Sequence, residues 1–322
     1  QQRRRIGLVT QRDDAVRRLR GPPPVQQPPA YNWQAPPQYP ARRRRSSLSC
    51  GCGCLPLFVL AGLLLLVVLG AYFLFPGRTN ILLLGIDYTT PDNSVARSDT
   101  IILSTVIPSE PYVGLLSIPR DLWVTIPGVG ENRINTAHFF AEAQQAGSGP
   151  YATEETIRQN FGVDVDYYAR IRFEGVREIV NAMGGVSVDL PEPMGGYPAG
   201  VIHLNGNKAL AFARNRSGTD DFFRMAQGQI LIKSMIKEMI RPRSWIHLPG
   251  VIRATLGAVE TNVPVWLWPR LGLAFVRVGP DGIDNRSINR DMVTGFTTNE
   301  GANVLLPDWT RINPLLLDMF GQ

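Results

Sequence analysis

The apolar positions change their period several times along the chain, and each change marks an element. Residues 55–75, LPLFVLAGLLLLVVLGAYFLF, are 21 consecutive uncharged, mostly apolar residues. At ~1.5 Å per residue, a helix of that length crosses the ~30 Å hydrocarbon layer of a membrane. Beyond it, NILLLGI (80–86) and TIILSTVI (100–107) are near-continuous apolar runs, and YVGLLSI (112–118) follows a PSEP turn. All three predict strands, and apolarity on both faces predicts helices covering the sheet. A helix is expected around 136–146, TAHFFAEAQQA, and another from Thr153 to Asn160, ending at Gly162. VDYYARIRF (165–173) alternates as a strand does, whereas EGVREIVNAM (174–183) has helical spacing and stops at Gly184–Gly185.

VSVDL (186–190) predicts a short strand and NKALAFARNR (207–216) a short helix. The clearest helix covers 220–240, with Asp220 or Asp221 as N-cap and Phe222, Met225, Gln229, Ile232, Ile236 and Met239 at i+3/i+4 spacing. Pro242 ends it. The final 80 residues mix Trp/Pro-rich turns with short strands and helices. No repeat is visible, so one α/β or α+β domain over about 78–322, with its motif-bearing core at 80–240, is the economical expectation.

Charge divides the chain the same way. Residues 1–45 hold 11 Arg, no Lys and two acids, a net +9; subtracting that from the whole-chain +6 leaves −3 for residues 46–322. The basic character therefore belongs to the N-terminal tail, and no basic nucleic-acid groove is expected in the folded part. Residues 21–40, GPPPVQQPPAYNWQAPPQYP, lack the apolar content to fold and predict an extended linker. Arg42–Arg45 precede the apolar span and only Arg78 follows it closely, so the positive-inside rule puts 1–54 in the cytoplasm and the domain outside. Cys50, Cys52 and Cys54 all flank the inner end of the span, so the outer domain must stand without disulfides. No second half of a CxxC or HxxxH pair exists to make a zinc site, and acylation is the chemistry open to these thiols.

The order of the first strands carries a chemical consequence. If they form an antiparallel meander, the first ends at Asp87, the second begins at Asp99, and the third returns Arg120 and Asp121 to the same edge, with Arg97 beside them. Two carboxylates held together repel unless one takes a proton or a cation bridges them. All-oxygen ligation by few protein groups suits Mg²⁺, and guanidiniums suit phosphate oxygens; Asp–Arg ion pairs at loop edges are the plainer alternative. Arg214, Arg216 and Arg224 add further cations. Arg224 stands in the first turn of the long helix, where the dipole disfavours a cation unless an anion, from a ligand or from Asp220 or Asp221, is at hand. There is no G-x-S-x-G elbow or Walker A loop, and His138, His203 and His247 are scattered.

The succession LLLGID, ARSDTIIL, LLSIPRDL, RINTAH, VDYYARIRFEGVREIVNAMGGVSVDLPEP, HLNGNKALAFARNR and DDFFR resembles the LytR–CpsA–Psr family of cell-envelope proteins over residues 80 to about 240. The resemblance implies an α/β fold, a three-layer α-β-α sandwich around a mixed central sheet, following an N-terminal transmembrane helix. It also implies Mg²⁺-dependent transfer of a glycopolymer, such as teichoic acid or capsule, from a polyprenyl-pyrophosphate carrier in an apolar pocket onto peptidoglycan. A non-catalytic polyprenyl-phosphate or glycan-binding scaffold is the alternative.

By the same resemblance, Asp87 and Asp99 are the metal-associated aspartates, Arg97 and Arg120 act with them in catalysis, and Asn135, Arg214, Arg216, Arg224 and Gln229 bind substrate. Gln227–Gly228–Gln229 departs from the family's R-Q-Q segment, and Asn181 stands where an aspartate is common. The apolar side of the 220–240 helix is expected to contribute both to the core and to the lipid pocket.

Overall fold

A computed structural model describes residues 54–74, 77–87, 95–215 and 221–321. The first helix, α1 (Cys54–Leu74), is long and apolar enough to cross a membrane over Pro56–Phe73, and none of that window is buried in the protein. Three strands follow: β1 (Thr79–Ile86), β2 (Ser98–Ile107) and β3 (Tyr112–Ile118). A hairpin of β4 (Trp123–Ile126) and β5 (Gly130–Arg133) leads to α2 (Asn135–Gln144) and α3 (Gly149–Phe161). Next come β6 (Tyr167–Arg172), α4 (Phe173–Ala182), the hairpin β7 (Val186–Leu190) and β8 (Gly200–Leu204), α5 (Gly206–Arg214) and α6 (Asp221–Ile240). The last part holds α7 (Leu248–Ala258), β9 (Val259–Thr261), α8 (Trp268–Val278), β10 (Asp284–Ser287), the hairpin β11 (Val293–Thr297) and β12 (Asn303–Pro307), and α9 (Trp309–Phe320).

The central sheet has six strands in the order β10-β3-β2-β1-β6-β9. β1–β2, β2–β3 and β6–β9 pair antiparallel, whereas β1–β6 and β10–β3 pair parallel, so the sheet is mixed and the first three strands form the expected meander. Alternation along the strands divides the core. Leu82, Leu84, Ile101, Leu103, Leu116 and Ile118 face one side and pack with Ile157 and Phe161 of α3 and Ile312, Leu316 and Met319 of α9. Ile102, Val106, Val113 and Leu115 face the other side, against Ile232 and Ile236 of α6 and Ala274 of α8. Both faces are covered by helices, which is why the strands read as unbroken apolar runs.

Two expectations need correction. α3 begins at Gly149, ahead of Thr153, because Pro150 occupies the first turn, where a missing N–H costs nothing. Thr153 lies inside the helix and donates its hydroxyl to the Gly149 carbonyl at 2.9 Å. The 207–216 helix starts at Gly206, capped by the Asn205 side chain, and ends at Arg214.

The central strands set the stability of this arrangement. Leu103 is fully buried in the middle strand of the meander. Leu103→Ala should lower unfolding free energy by ~2–5 kcal/mol, the range for a large-to-small change in a packed core. Denaturant titration of the full chain in detergent measures it.

Candidate active site

The strand order gathers charged groups at one edge of the sheet. In the β1–β2 ladder Gly85 pairs with Thr100 but Ile86 pairs with Ser98, so Asp99 is an extra, bulged residue. Such a bulge bends a strand and re-aims a side chain, and Asp99 lines the same cleft as Asp87 at the end of β1. β3 places Ile118 opposite Ile101 and so returns Arg120 to that edge. β6 runs parallel to β1 with Arg172 opposite Ile86, which starts α4 there with Phe173 and Glu174. α5 contributes Arg214 from its last turn and α6 contributes Arg224 from its first.

The cleft has a volume of about 210 Å³ and is lined by Asp87, Asp99, Arg120, Phe173, Arg214 and Arg224 among others. An adjoining polar pocket shares Asp87, Asp99 and Arg120 and adds Arg97, Asp121, Arg133 and Asn135. Cations and anions alternate across it. Arg120 Nη1 donates to Asp99 Oδ1 at 2.7 Å, and Arg214 Nη2 donates to Asp87 Oδ1 at 2.5 Å and to Glu174 Oε1 at 2.8 Å. Asp121 lies between Arg120 Nε at 3.5 Å and Arg133 Nε at 3.3 Å. The Arg214 guanidinium stacks over Phe173 at 5.6 Å, and Arg97, which is exposed, stacks over Phe139 at 5.5 Å.

Burial works against the charge on Arg214, but its hydrogen bonds to Asp87 and Glu174 outweigh that and raise its pKa. Burial likewise pushes Glu174 upward, yet bonds from its own amide and from Arg214 hold it below the ordinary carboxylate range.

Other expected site residues occupy distinct places. Asn135 is buried at the start of α2, its backbone N–H donating to the Arg120 carbonyl at 3.2 Å, and its Oδ1 has no hydrogen-bond partner among the described residues. Gln229 is not among the residues lining the cleft: its Nε2 donates to Ser117 Oγ at 2.7 Å and to the Arg286 carbonyl at 2.8 Å, tying α6 to β3 and β10. Arg216 lies outside the described residues. Asn181 is structural, accepting from the Gly206 amide at 2.9 Å.

The residues that sequence reasoning passed over are Glu174 and Phe173, which hold Arg214, and Phe139 and Arg133, which hold Arg97 and Asp121. The run RIRFEG carried the first two. What brings them to the cleft is the parallel β1–β6 pairing, which the spacing of the chain does not announce.

A buried ionic network backs the cleft. His138 is fully buried, with Nδ1 2.7 Å from the Ala96 carbonyl and Nε2 3.1 Å from Arg170 Nη1. A guanidinium only donates, so Nε2 accepts and Nδ1 carries the proton. Arg170 also pairs with Glu142 at 3.1 Å and Glu260 at 2.5 Å, and Glu142 accepts the Gly147 and Gly149 amides at 3.0 Å each. Gly149 is required at this corner, because a Cβ there would meet His138 Cδ2 at 2.6 Å. Through Ala96 the network fixes the backbone that carries Arg97.

On the opposite face of the sheet from α3 and α9 runs an apolar groove of about 290 Å³. Ile81, Leu83 and Val106 of the sheet, Ile232 and Ile236 of α6 and Trp268 of α8 are among its walls. Of the apolar residues on α6, Phe223 and Met235 pack into the core beside β7 and β8, and Met225 lines the charged cleft.

The LytR_cpsA_psr family model matches residues 76–314. Over 141 residues the chain is 40% identical to the polyisoprenyl-teichoic acid–peptidoglycan teichoic acid transferase TagU of Oceanobacillus iheyensis, covering 42% of this chain and 43% of that one. It is 30% identical over 207 residues to the regulatory protein MsrR of Staphylococcus aureus, covering 62% of this chain and 61% of that one. The matched stretches thus span about half the length of these curated relatives. Among solved structures, the fold superposes on TagV of B. subtilis with a TM-score of 0.64 at 24% identity, over 76% of this chain and 98% of that one.

The network gives the domain an acid limit. Burial, reinforced by the Arg170 charge, pulls the His138 pKa below its ordinary 6.5 despite the Ala96 bond. Unfolding restores the ordinary value, so the unfolded chain takes up a proton that the folded one refuses as pH falls below 6.5. His138 therefore favours folding fully above that pH, and its contribution declines toward the folded pKa by up to ~1.4 kcal/mol per pH unit. Glu154 runs the other way: burial raises its carboxyl to about 7, so it favours folding in acid and loses that contribution as pH rises toward 7. A paired comparison cancels Glu154. The stability gap between the wild-type chain and His138→Gln should narrow as pH falls from 7 to 5, measured by denaturant titration at each pH.

Proposed function

The chain belongs to the LytR_cpsA_psr family, and from that premise we propose that the domain after α1 is an extracytoplasmic transferase. It moves a glycopolymer from a polyprenyl-pyrophosphate carrier onto a peptidoglycan sugar hydroxyl, leaving a phosphodiester link. α1 spans the membrane with the basic tail in the cytoplasm, as the four arginines before the span favour. The name of the Oceanobacillus relative, a teichoic acid transferase, supports this substrate class.

One observation carries the proposal: α6 joins two kinds of surface. Its first turn presents Arg224 to the charged cleft, and Ile232 and Ile236 line the apolar groove. At 1.5 Å per residue these lie ~12 and ~18 Å along the axis from Arg224. A diphosphate head with a hydrocarbon chain has that same polarity, anionic at one end and apolar beyond it.

The charge balance bears on Mg²⁺. Among the described residues, Arg97, Arg120, Arg133, Arg214 and Arg224 stand beside Asp87, Asp99, Asp121 and Glu174, and a divalent cation would offset part of the charge that a diphosphate adds there. Asp87 and Asp99 each meet their arginine through Oδ1. These two carboxylates would hold Mg²⁺, a hard cation that takes oxygen donors. Mg²⁺ held there would withdraw charge from the diphosphate oxygens.

The protein's own groups do the rest. Arg120 and Arg214, preset by Asp99, Asp87 and Glu174, present their guanidiniums to phosphate oxygens, and Arg97 and Arg224 act on the same anion. The acceptor hydroxyl attacks the sugar-bearing phosphorus, the bond to the prenyl-phosphate oxygen breaks, and the hydroxyl proton passes to a cleft carboxylate. Positioning and charge stabilisation supply the rate in such transfers. Water in place of the acceptor gives pyrophosphate hydrolysis as a side reaction.

Incubating the full chain in detergent with a labelled polyprenyl-pyrophosphate glycan, peptidoglycan oligosaccharide and Mg²⁺ tests this. The expected products are labelled peptidoglycan and polyprenyl phosphate. Asp87→Asn or Asp99→Asn should each lower the rate by ~10²–10³-fold, the scale for removing a preorganised electrostatic group. A chain that binds the lipid without breaking the diphosphate would be a scaffold and would overturn the proposal.

A further inference from the structure

We propose that the turn Pro242–His247, helix α7 and the turn Val265–Leu267 form a surface that lies in the headgroup layer of the membrane and seats the mouth of the apolar groove there. The inference rests on α1 spanning the membrane and on the groove taking a lipid chain.

The position of the bilayer relative to the domain follows from contacts at the outer end of α1. Tyr72, in its last turn, donates its hydroxyl to the Trp266 carbonyl. Arg270 of α8 donates through Nη2 to the Gly77 carbonyl at 3.2 Å, just past the end of α1. Arg270 is fully buried, and its Nε and Nη1 have no hydrogen-bond partner among the described residues, so this guanidinium faces the junction and not solvent. Together these bonds hold the start of α8 and the turn before it against the last turn of the span. Trp266 therefore sits at the depth where a membrane-spanning helix leaves the hydrocarbon, and tyrosine and tryptophan favour that depth.

What the protein exposes there suits a lipid surface. Val265 and Trp266 are 71% and 59% exposed. α7, which reaches this turn through β9, buries Val251 and Ala258 against α4 and leaves Leu248, Ile252 and Leu256 exposed at i, i+4 and i+8. Trp245 and Ile246, in the turn before α7, are 60% and 79% exposed. An uninterrupted apolar stripe of this kind is uncommon on a surface facing water.

The charges along this stretch are mainly basic: from Pro242 to Leu267 the chain has Arg243 and Arg253 and one acid, Glu260, which pairs with Arg170. Glu238 neutralises Arg241 and Arg243 at 2.8 and 3.0 Å, while Arg253 makes no ion pair among the described residues. α7 itself carries Arg253 and no acid beside its exposed apolar residues, a composition that suits a helix lying in the interface. Val263 and Trp268, on either side of Val265–Leu267, line the groove. A lipid chain could then enter the groove from the bilayer without crossing water.

The full chain is reconstituted into phosphatidylcholine/phosphatidylglycerol vesicles carrying lipids brominated near the headgroup. Tryptophan fluorescence should be quenched, and Trp245→Phe with Trp266→Phe should remove most of the quenched signal. Ile252→Glu with Leu256→Glu, both at exposed positions, should weaken quenching of Trp245. The same change should raise KM several-fold for a long-chain donor in the vesicle and leave kcat for a short-chain soluble donor unchanged.

Identical quenching in wild-type and double-Phe chains would overturn the proposal. So would a Leu256→Cys chain that cross-links to a second copy while Trp245 and Trp266 stay unquenched. The quenching is read without turnover, so a chain that is quenched but transfers nothing refutes the transferase proposal and leaves this one standing.

Discussion

The cleft depends on one guanidinium. Arg214, at the end of α5, bonds through a single nitrogen to Asp87 from β1 and Glu174 from α4, with its plane over Phe173. Without that cation, two carboxylates from different elements would face each other across a partly buried space and repel. With it they are fixed, and the arginine itself is held by three partners in one orientation. Asp99 and Arg120 repeat the device on the neighbouring strands. Each pair sets a guanidinium against a carboxylate, so the charges in the cleft offset one another. This is preorganisation by ion pairs whose partners come from different layers of the fold.

The sheet makes those pairs possible. Its antiparallel meander returns three strands to one edge, the bulge at Asp99 aims that carboxylate into the cleft, and the parallel β1–β6 pairing brings α4 alongside. The buried His138–Arg170–Glu142 network then clamps the backbone before Arg97. A salt bridge buried this deeply gives little net stability but specifies geometry, because any other arrangement leaves a charge unpaired. The apolar groove lies on one side of α6 and the charged cleft at its first turn, so a single helix borders both surfaces.

Much of this was legible in the sequence, for identifiable reasons. The meander follows from three apolar runs separated by short polar segments, and it alone brings Asp87, Asp99 and Arg120 together. Glu174 and Phe173 were hidden because a parallel pairing across some eighty residues of chain leaves no local signature. α7 and α8 were obscured because Pro249 and Pro269 look like turn signals, whereas proline is at home in the first turn of a helix. α9 even carries Pro314 inside it. Gln229 belongs to the apolar side by its spacing, and the structure uses its amide to join α6 to β3 and β10.

The central claim is that Asp87 and Asp99 hold a divalent cation while Arg120 and Arg214 hold a diphosphate beside it. Anomalous scattering from crystals of the full chain grown with Mn²⁺ and farnesyl pyrophosphate tests it most directly. The account predicts a manganese peak touching both carboxylates, the diphosphate oxygens within hydrogen-bonding distance of both guanidiniums, and the farnesyl chain directed along α6. A manganese peak away from Asp87 and Asp99, or a diphosphate bound elsewhere on the domain, would contradict it.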